Sequence, residues 1–150
     1  MVTTPLSLKG RALRLLSARE HSRAELERKL VPFEEQPGAL AKELDDLQAK
    51  GFINERRVVE SVLNRRSAKL GTARIRQELQ GKGLASEAVL EAVEQLRATE
   101  EERAREVWRK KFGEPPANAA ERGKQMRFLA SRGFGGDAIR RVVSGSSDDD

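Results

Sequence analysis

The sequence of 150 residues contains few side chains of the kinds that catalyse reactions or bind metal ions. Because there is no cysteine, disulfides, thiolate nucleophiles and cysteine-based zinc sites are excluded, and a reducing cytosol is the simplest compartment. The only histidine, His21, stands beside a predicted helix cap, where we expect a structural or solvent-facing role. Asp45 and Asp46 would diverge on a helix, which makes a poor metal pair. No phosphate-binding glycine loop or zinc-protease motif is present, so we expect neither an enzyme nor a cofactor.

Lysine and arginine are the residues left to carry a function, and they are concentrated in the middle of the chain. The net charge is +5, but residues 50–82 hold nine Lys or Arg and three Glu, a local charge of +6, whereas residues 144–150 carry three Asp and no base. Such a basic segment favours an acidic partner, either nucleic acid or an acidic protein groove. The alternative is that basic helices only keep the protein soluble. The candidate contacts to a partner or to DNA are Arg56, Arg57, Arg65, Arg66, Lys69, Arg74, Arg76, Lys82, Lys124, Arg127 and Arg132.

Arg66 is the candidate with the most unusual surroundings. On a helix that starts near Asn54 it falls within an apolar stripe that includes Val62 and Leu70. A charge in such a stripe is costly unless it is paired or reaches the surface. Two explanations stay open: Arg66 forms a structural ion pair with a glutamate, or it projects at the edge of a binding groove between Arg65 and Lys69.

Apolar residues recur at helical spacing along most of the chain, and no segment alternates with the period of a strand. Helix starts are predicted at a capping box of Ser22 and Glu25, at Asn54, at Ser86, and at a second capping box from Thr99 to Glu102. The first helix is predicted from Arg11. These signals predict an all-α fold of about nine helices.

A basic–Gly–apolar triplet occurs three times, as Lys50-Gly51-Phe52, Lys82-Gly83-Leu84 and Arg132-Gly133-Phe134. Glycine in the left-handed conformation ends a helix, and the apolar residue after it folds back on the last turn. The matching stops predict three tandem three-helix repeats. We place an N-terminal arm at 1–8, the repeats at 9–53, 54–98 and 99–143, and an acidic tail at 144–150.

Seven segments, in this order along the chain, carry a resemblance to a known family. They are Ala18–Ser22, Glu25–Leu26, Lys29–Leu30, Gly71–Leu79, Lys82–Leu84, Lys111–Pro115 and Arg127–Phe134. The chain resembles the RecX regulatory proteins, modulators of the bacterial recombinase RecA. One segment departs from the pattern: Asn54-Glu55 replaces a pair of acids, and Val58 stands where phenylalanine is usual.

The resemblance implies that the three repeats form an elongated, curved array. It implies a protein that lies in the groove of the RecA–DNA filament and restrains filament growth. It also implies lower ATP hydrolysis, strand exchange and support for repressor cleavage. Arg66 falls where the family places an arginine. The partners expected are the RecA filament and single-stranded DNA, for a cytoplasmic monomer without a membrane helix.

A general DNA-binding module is the alternative from a different class. A basic helical face would bind phosphates without sequence preference. With no Tyr, five Phe and one Trp, mostly at core-like positions, the sequence offers little stacking surface for a dedicated single-strand binder.

Overall fold

The computed structural model describes residues 5–145, and over that range it contains nine α-helices, one 3₁₀ turn and no strand. The first three helices are α1 (Leu8–Ala18), α2 (Arg23–Leu30) and α3 (Ala39–Ala49), with the 3₁₀ turn at Val31–Phe33. They are followed by α4 (Glu55–Arg66), α5 (Thr72–Gly81) and α6 (Glu87–Ala98), and then by α7 (Glu100–Lys111), α8 (Ala119–Ser131) and α9 (Gly136–Val143). The first four residues of the predicted arm and residues 146–150 of the predicted tail lie outside the described residues.

Each group of three helices builds its own hydrophobic core. The first core contains Leu26, Leu44 and Leu47, the second Val62, Ile75 and Leu79, and the third Leu129, Val142 and Val143, together with their neighbours. Burying such a side chain contributes about 1.5–3 kcal/mol. No core cluster in the described chain mixes residues from two groups, so the prediction of an all-α fold of three tandem three-helix repeats is confirmed.

Two of the predicted helix starts, Ser22 and Asn54, form as local hydrogen bonds. The Ser22 hydroxyl accepts from the Glu25 amide at 3.1 Å, and the Glu25 carboxylate accepts from the Ser22 amide at 3.0 Å, which completes the predicted capping box. The Asn54 side chain accepts from the Arg57 amide at 3.0 Å. Helix α1 begins at Leu8, ahead of the predicted Arg11, because Ser7 caps it through the Gly10 amide.

The second predicted capping box, at Thr99, is wrong. Thr99 ends α6 and precedes α7 at once, so its backbone (φ −114°, ψ 9°) does not take the extended conformation of an N-cap. Its hydroxyl turns back toward the Leu96 carbonyl, at 3.4 Å, and accepts from Arg103 Nε at 3.1 Å. Ser86 stands at the N-cap position of α6, but its hydroxyl is buried and makes no cap bond.

The three basic–Gly–apolar triplets end helices as predicted. Gly51, Gly83 and Gly133 have φ of +84°, +75° and +92°. The amide of each following residue donates to a carbonyl five residues back, for example Phe134 to Leu129 at 3.3 Å. Leu84 and Phe134 are buried, whereas Phe52 is 47% exposed, so the first triplet differs from the others in its surroundings.

The second and third triplets also join neighbouring repeats, which the sequence did not predict. At the first junction the C-terminal end of α5 meets the N-terminal end of α2. The Ser22 hydroxyl donates to the Lys82 carbonyl at 2.5 Å, and the Arg28 guanidinium donates to the Gly81 carbonyl at 2.9 Å. The Ser22 hydroxyl therefore accepts a hydrogen bond that caps α2 and donates another to the second repeat.

At the second junction the C-terminal end of α8 meets the N-terminal end of α5 in the same head-to-tail manner. The amides of Gly71 and Ala73 donate to the carbonyls of Arg132 and Gly133, at 2.7 and 3.3 Å, and the Arg74 guanidinium donates to the Ser131 carbonyl at 2.7 Å. A Cβ on Gly71 would lie 2.3 Å from the Gly133 carbonyl carbon, so the approach requires glycine.

Two charged side chains of α7 complete the second junction. Glu100 accepts from the Thr72 amide at 2.7 Å and the Gly135 amide at 3.4 Å. Arg103 donates to the carbonyls of Ser67, Leu70 and Leu96, at 3.0, 2.6 and 2.8 Å. Burial lowers the pKa of Arg103, and the guanidinium is held by carbonyl oxygens that the helix ends leave unsatisfied.

We predict that Gly71→Ala destabilises the protein by about 1–3 kcal/mol, because the new Cβ forces two backbones apart. Gly71 has no positive φ, so the loss measures the junction and not backbone strain. Gly81→Ala is the matched control: open space surrounds it on the same helix, and alanine gains up to about 1 kcal/mol there. Urea unfolding checks both variants, and equal midpoints for the two would contradict the close junction.

Candidate partner-binding surface

The eleven predicted partner contacts differ in their exposure and in whether their side chains already have a partner in the described chain. Arg65 and Arg66, at the end of α4, share the Glu78 carboxylate of α5, at 3.6 and 3.1 Å. Both guanidiniums are still almost half exposed. The ion pair that the sequence left open for Arg66 is therefore present, and a pair with such an exposed arginine contributes about 1 kcal/mol or less. Lys69 follows in the α4–α5 loop, exposed and without a partner in the described chain.

Two further candidates stand at the start of α4. Arg56 pairs with Glu91 at 3.1 Å across the second repeat, with both side chains exposed. Arg57 pairs with Glu20 at 2.8 Å and also donates to the Gly51 carbonyl at 2.7 Å. Arg57 therefore adds an ionic link between the first and second repeats.

Three candidates lie at the junctions between repeats. Lys82 pairs with Glu25 at 3.4 Å, with both side chains nearly buried, and Arg74 holds the Ser131 carbonyl. The Arg132 guanidinium stacks over the Phe128 ring, 4.9 Å from its centre. The roles of these three residues as partner contacts stay predictions. The side chains of Lys82 and Arg74 already bind groups of a neighbouring repeat.

The remaining candidates are exposed cations without such ties. Arg76 on α5, and Lys124 and Arg127 on α8, make no hydrogen bond or ion pair through their side chains within residues 5–145. Arg97, at the end of α6, is equally free, and the sequence analysis missed it. Helical spacing alone could not find Arg97, because its neighbours in space belong to another helix.

No group of three or more His, Cys, Asp or Glu side chains in the described chain is arranged to hold a metal ion. His21 is buried, its Nδ1 lies 3.0 Å from the Arg19 carbonyl, and its Nε2 lies 3.0 Å from Lys29 Nζ. Burial lowers the pKa of His21, and the ring is engaged at both nitrogens. None of the helices in residues 5–145 is long and apolar enough to span a membrane.

Glu25 is the most perturbed acid near these cations. Burial opposes its charge, but the Arg19 guanidinium, the Ser22 amide and the Lys82 ammonium outweigh burial and hold the pKa of Glu25 at about 2. The carboxylate therefore stays charged and ties the start of α2 to the end of α5.

Comparison with known proteins identifies the family. The chain matches the first RecX three-helix domain over residues 9–32, the second over 54–93 and the third over 99–143. It is 56% identical over 138 residues to the regulatory protein RecX of Leptothrix cholodnii, covering 92% of this chain and 88% of the relative. It is 47% identical over 142 residues to the regulatory protein RecX of Ralstonia nicotianae, covering 95% and 89%.

The chain belongs to the RecX family. Solved structures agree on the fold: a crystal structure of RecX from Lactobacillus salivarius superimposes with a TM-score of 0.74 at 19% identity, covering 92% of this chain and 93% of that one. Another crystal structure of regulatory protein RecX gives 0.72 at 18% identity, covering 97% and 82%. The predicted resemblance to RecX is confirmed.

We predict that Glu25→Gln costs about 2–3 kcal/mol at neutral pH, and that this cost disappears in acid. The folded pKa of about 2 lies below the ordinary 4.5, so the carboxylate stabilises the fold above pH 4.5 and loses this contribution as the pH falls toward 2. Urea unfolding of both proteins over this range checks the prediction. Glu27→Gln, at an exposed pair with Arg23, serves as control and should change stability little. A Glu25→Gln cost that is constant over this pH range would contradict it.

Proposed function

We propose that this RecX-family protein binds the RecA–DNA filament and inhibits filament extension, ATP hydrolysis, strand exchange and support for repressor cleavage. It would act in DNA repair and the SOS response as a cytoplasmic monomer, without enzymatic activity or cofactor. The observation that carries the proposal is the match to three RecX domains in order along one chain.

The exposed cations support a polyanionic partner. Arg76, Arg97, Lys124 and Arg127 have side chains without partners in the described chain. Within it, Arg65 and Arg66 pair only with Glu78 and keep almost half of their side-chain surface exposed. A recombinase filament contains DNA, and phosphate contacts release counterions and add affinity. We therefore propose that these cations contact DNA phosphates or acidic side chains within the filament.

A general DNA-binding module remains the second candidate, because the same cations would bind free DNA. Two measurements separate the candidates: binding to bare single-stranded DNA over a salt series, and the effect on RecA ATPase in preformed filaments. The filament regulator should lower ATPase at concentrations that leave free DNA largely unbound. Tight binding to free DNA with no effect on recombinase ATPase would reject the first proposal.

We predict that the triple variant Arg65→Ala, Arg66→Ala, Lys69→Ala weakens inhibition of RecA ATPase by about tenfold or more while the protein stays folded. Three cations are removed, whereas only exposed ion pairs of about 1 kcal/mol or less are lost from the fold. Inhibition curves, with circular dichroism for folding, check this prediction.

Glu78→Gln provides the matched control, since it breaks the same ion pairs but keeps all three cations. This variant should inhibit at least as well as the parent protein. If Glu78→Gln lost inhibition to the same degree as the triple variant, the ion pairs would matter and not the cations as partner contacts. Normal inhibition by the triple variant would exclude this part of the surface.

A further inference from the structure

A groove of about 450 Å³ lies where the second repeat meets the third. One wall is the face of α5 that carries Ala73, Arg76, Gln77 and Gln80, at spacings of three and four residues. Arg97, in the last turn of α6, lines the same groove. Residues of α5 and α6 thus place two arginines and two glutamines around one depression.

The arginine and glutamine side chains of this groove have no role in the fold of the described residues. The side chains of Arg76, Arg97, Gln77 and Gln80 are exposed and make no hydrogen bond or ion pair within the described chain. Glu100 is the only carboxylate among the lining residues, and both of its oxygens accept from backbone amides of Thr72 and Gly135. The groove therefore presents donors and positive charge without a matched acceptor.

We propose that this groove binds the sugar–phosphate backbone of nucleic acid, with Arg76 and Arg97 on phosphate oxygens and Gln77 and Gln80 as further donors. A guanidinium matches a phosphate through two parallel hydrogen bonds. The groove has no aromatic lining residue, so bases do not stack there and the contact is independent of sequence.

The composition of the lining favours a phosphate backbone over a protein segment. Protein interfaces are centred on buried aromatic or large aliphatic anchors. Here the largest apolar side chain in the lining is the methyl group of Ala73, and the rest is glycine or polar. A protein segment would find donors but no apolar pocket to anchor it.

The groove is separate from the Arg65–Arg66 cluster. Glu78, which holds those two arginines, follows Ile75 by three residues and lies on the core side of α5, away from the face of Arg76 and Gln80. The assignment rests on the DNA-contacting part of the proposed function and names the residues that perform it. Arg97, Gln77 and Gln80 are additions to the predicted contacts.

The test is the double variant Arg76→Gln, Arg97→Gln, titrated against a fluorescent oligothymidylate without recombinase. We expect affinity at low salt to fall by about tenfold or more. The slope of log affinity against log salt should decrease by about 1.4, or about 0.7 for each lost phosphate contact. Circular dichroism and the unfolding midpoint should be unchanged, because neither side chain has a partner among residues 5–145.

Arg14→Gln with Lys42→Gln is the matched control, since it removes the same charge from exposed positions of the first repeat. This control should change DNA affinity less than twofold. A photo-crosslinking residue at Gln80 should capture the oligonucleotide, while one at Gln36 in the first repeat should not. An equal loss in both double variants, or no loss in either, would overturn the groove assignment.

Two results separate this assignment from the filament proposal. If the parent protein inhibits RecA but binds no oligonucleotide measurably, the groove assignment fails and the filament regulator stands. If oligonucleotide binding depends on Arg76 and Arg97 but RecA ATPase is unaffected by the parent protein, the reverse holds. Loss of recombinase binding without DNA, with DNA affinity intact, would make the groove a protein contact and overturn the proposal.

Discussion

The tertiary structure depends on one kind of contact, in which carbonyls at the C-terminal end of a helix accept from donors on the second helix of the preceding repeat or at its N-cap. Every helix leaves its last carbonyls without partners inside the helix. Here those of α5 bind Ser22 and Arg28, and those of α8 bind the amides of Gly71 and Ala73. Head-to-tail stacking also brings opposite ends of the helix dipoles together. One arrangement therefore satisfies polar groups and sets the order of repeats.

The two junctions reach the same arrangement by different chemistry. The first uses side chains: the Ser22 hydroxyl, and the Lys82–Glu25 pair with its strongly acidic carboxyl. The second brings backbone onto backbone, which only Gly71 permits, and adds Arg103 beneath it. The first copy of the basic–Gly–apolar triplet makes neither contact: Gly51 has open space around it, and Phe52 is exposed. The shared triplet is therefore a helix stop that two of its three copies also use for assembly.

The features predicted from the sequence were those fixed within a few residues. The capping box at Ser22, the cap at Asn54 and the glycine stops need only their neighbours along the chain, and each formed. The predicted cap at Thr99 did not form because α6 ends at the same residue, and the Thr99 hydroxyl points to the Leu96 carbonyl of that helix. The junctions could not be predicted. Ser22 and Lys82 are sixty residues apart, and the sequence around one residue does not indicate a contact with the other.

For the same reason, the number of charged residues along the sequence identified the candidate surface only in part. The sequence does not show which bases already have a partner in the folded chain. Residues 50–82 contain nine bases, yet seven of them already have a partner: Lys50, Arg56, Arg57, Arg65, Arg66 and Lys82 pair with acids, and Arg74 holds a carbonyl. Five of the six acid-pairing bases keep much of their side-chain surface exposed, so these pairs contribute little to stability. The pair of Lys82 with Glu25 is nearly buried. The side chains of Lys69 and Arg76 make no hydrogen bond or ion pair in the described chain. Of these two, Arg76 lines the groove beside the second junction together with Arg97, whereas Lys69 is not among the lining residues. The contact that joins the repeats thus also shapes the surface on which their spare positive charge is presented.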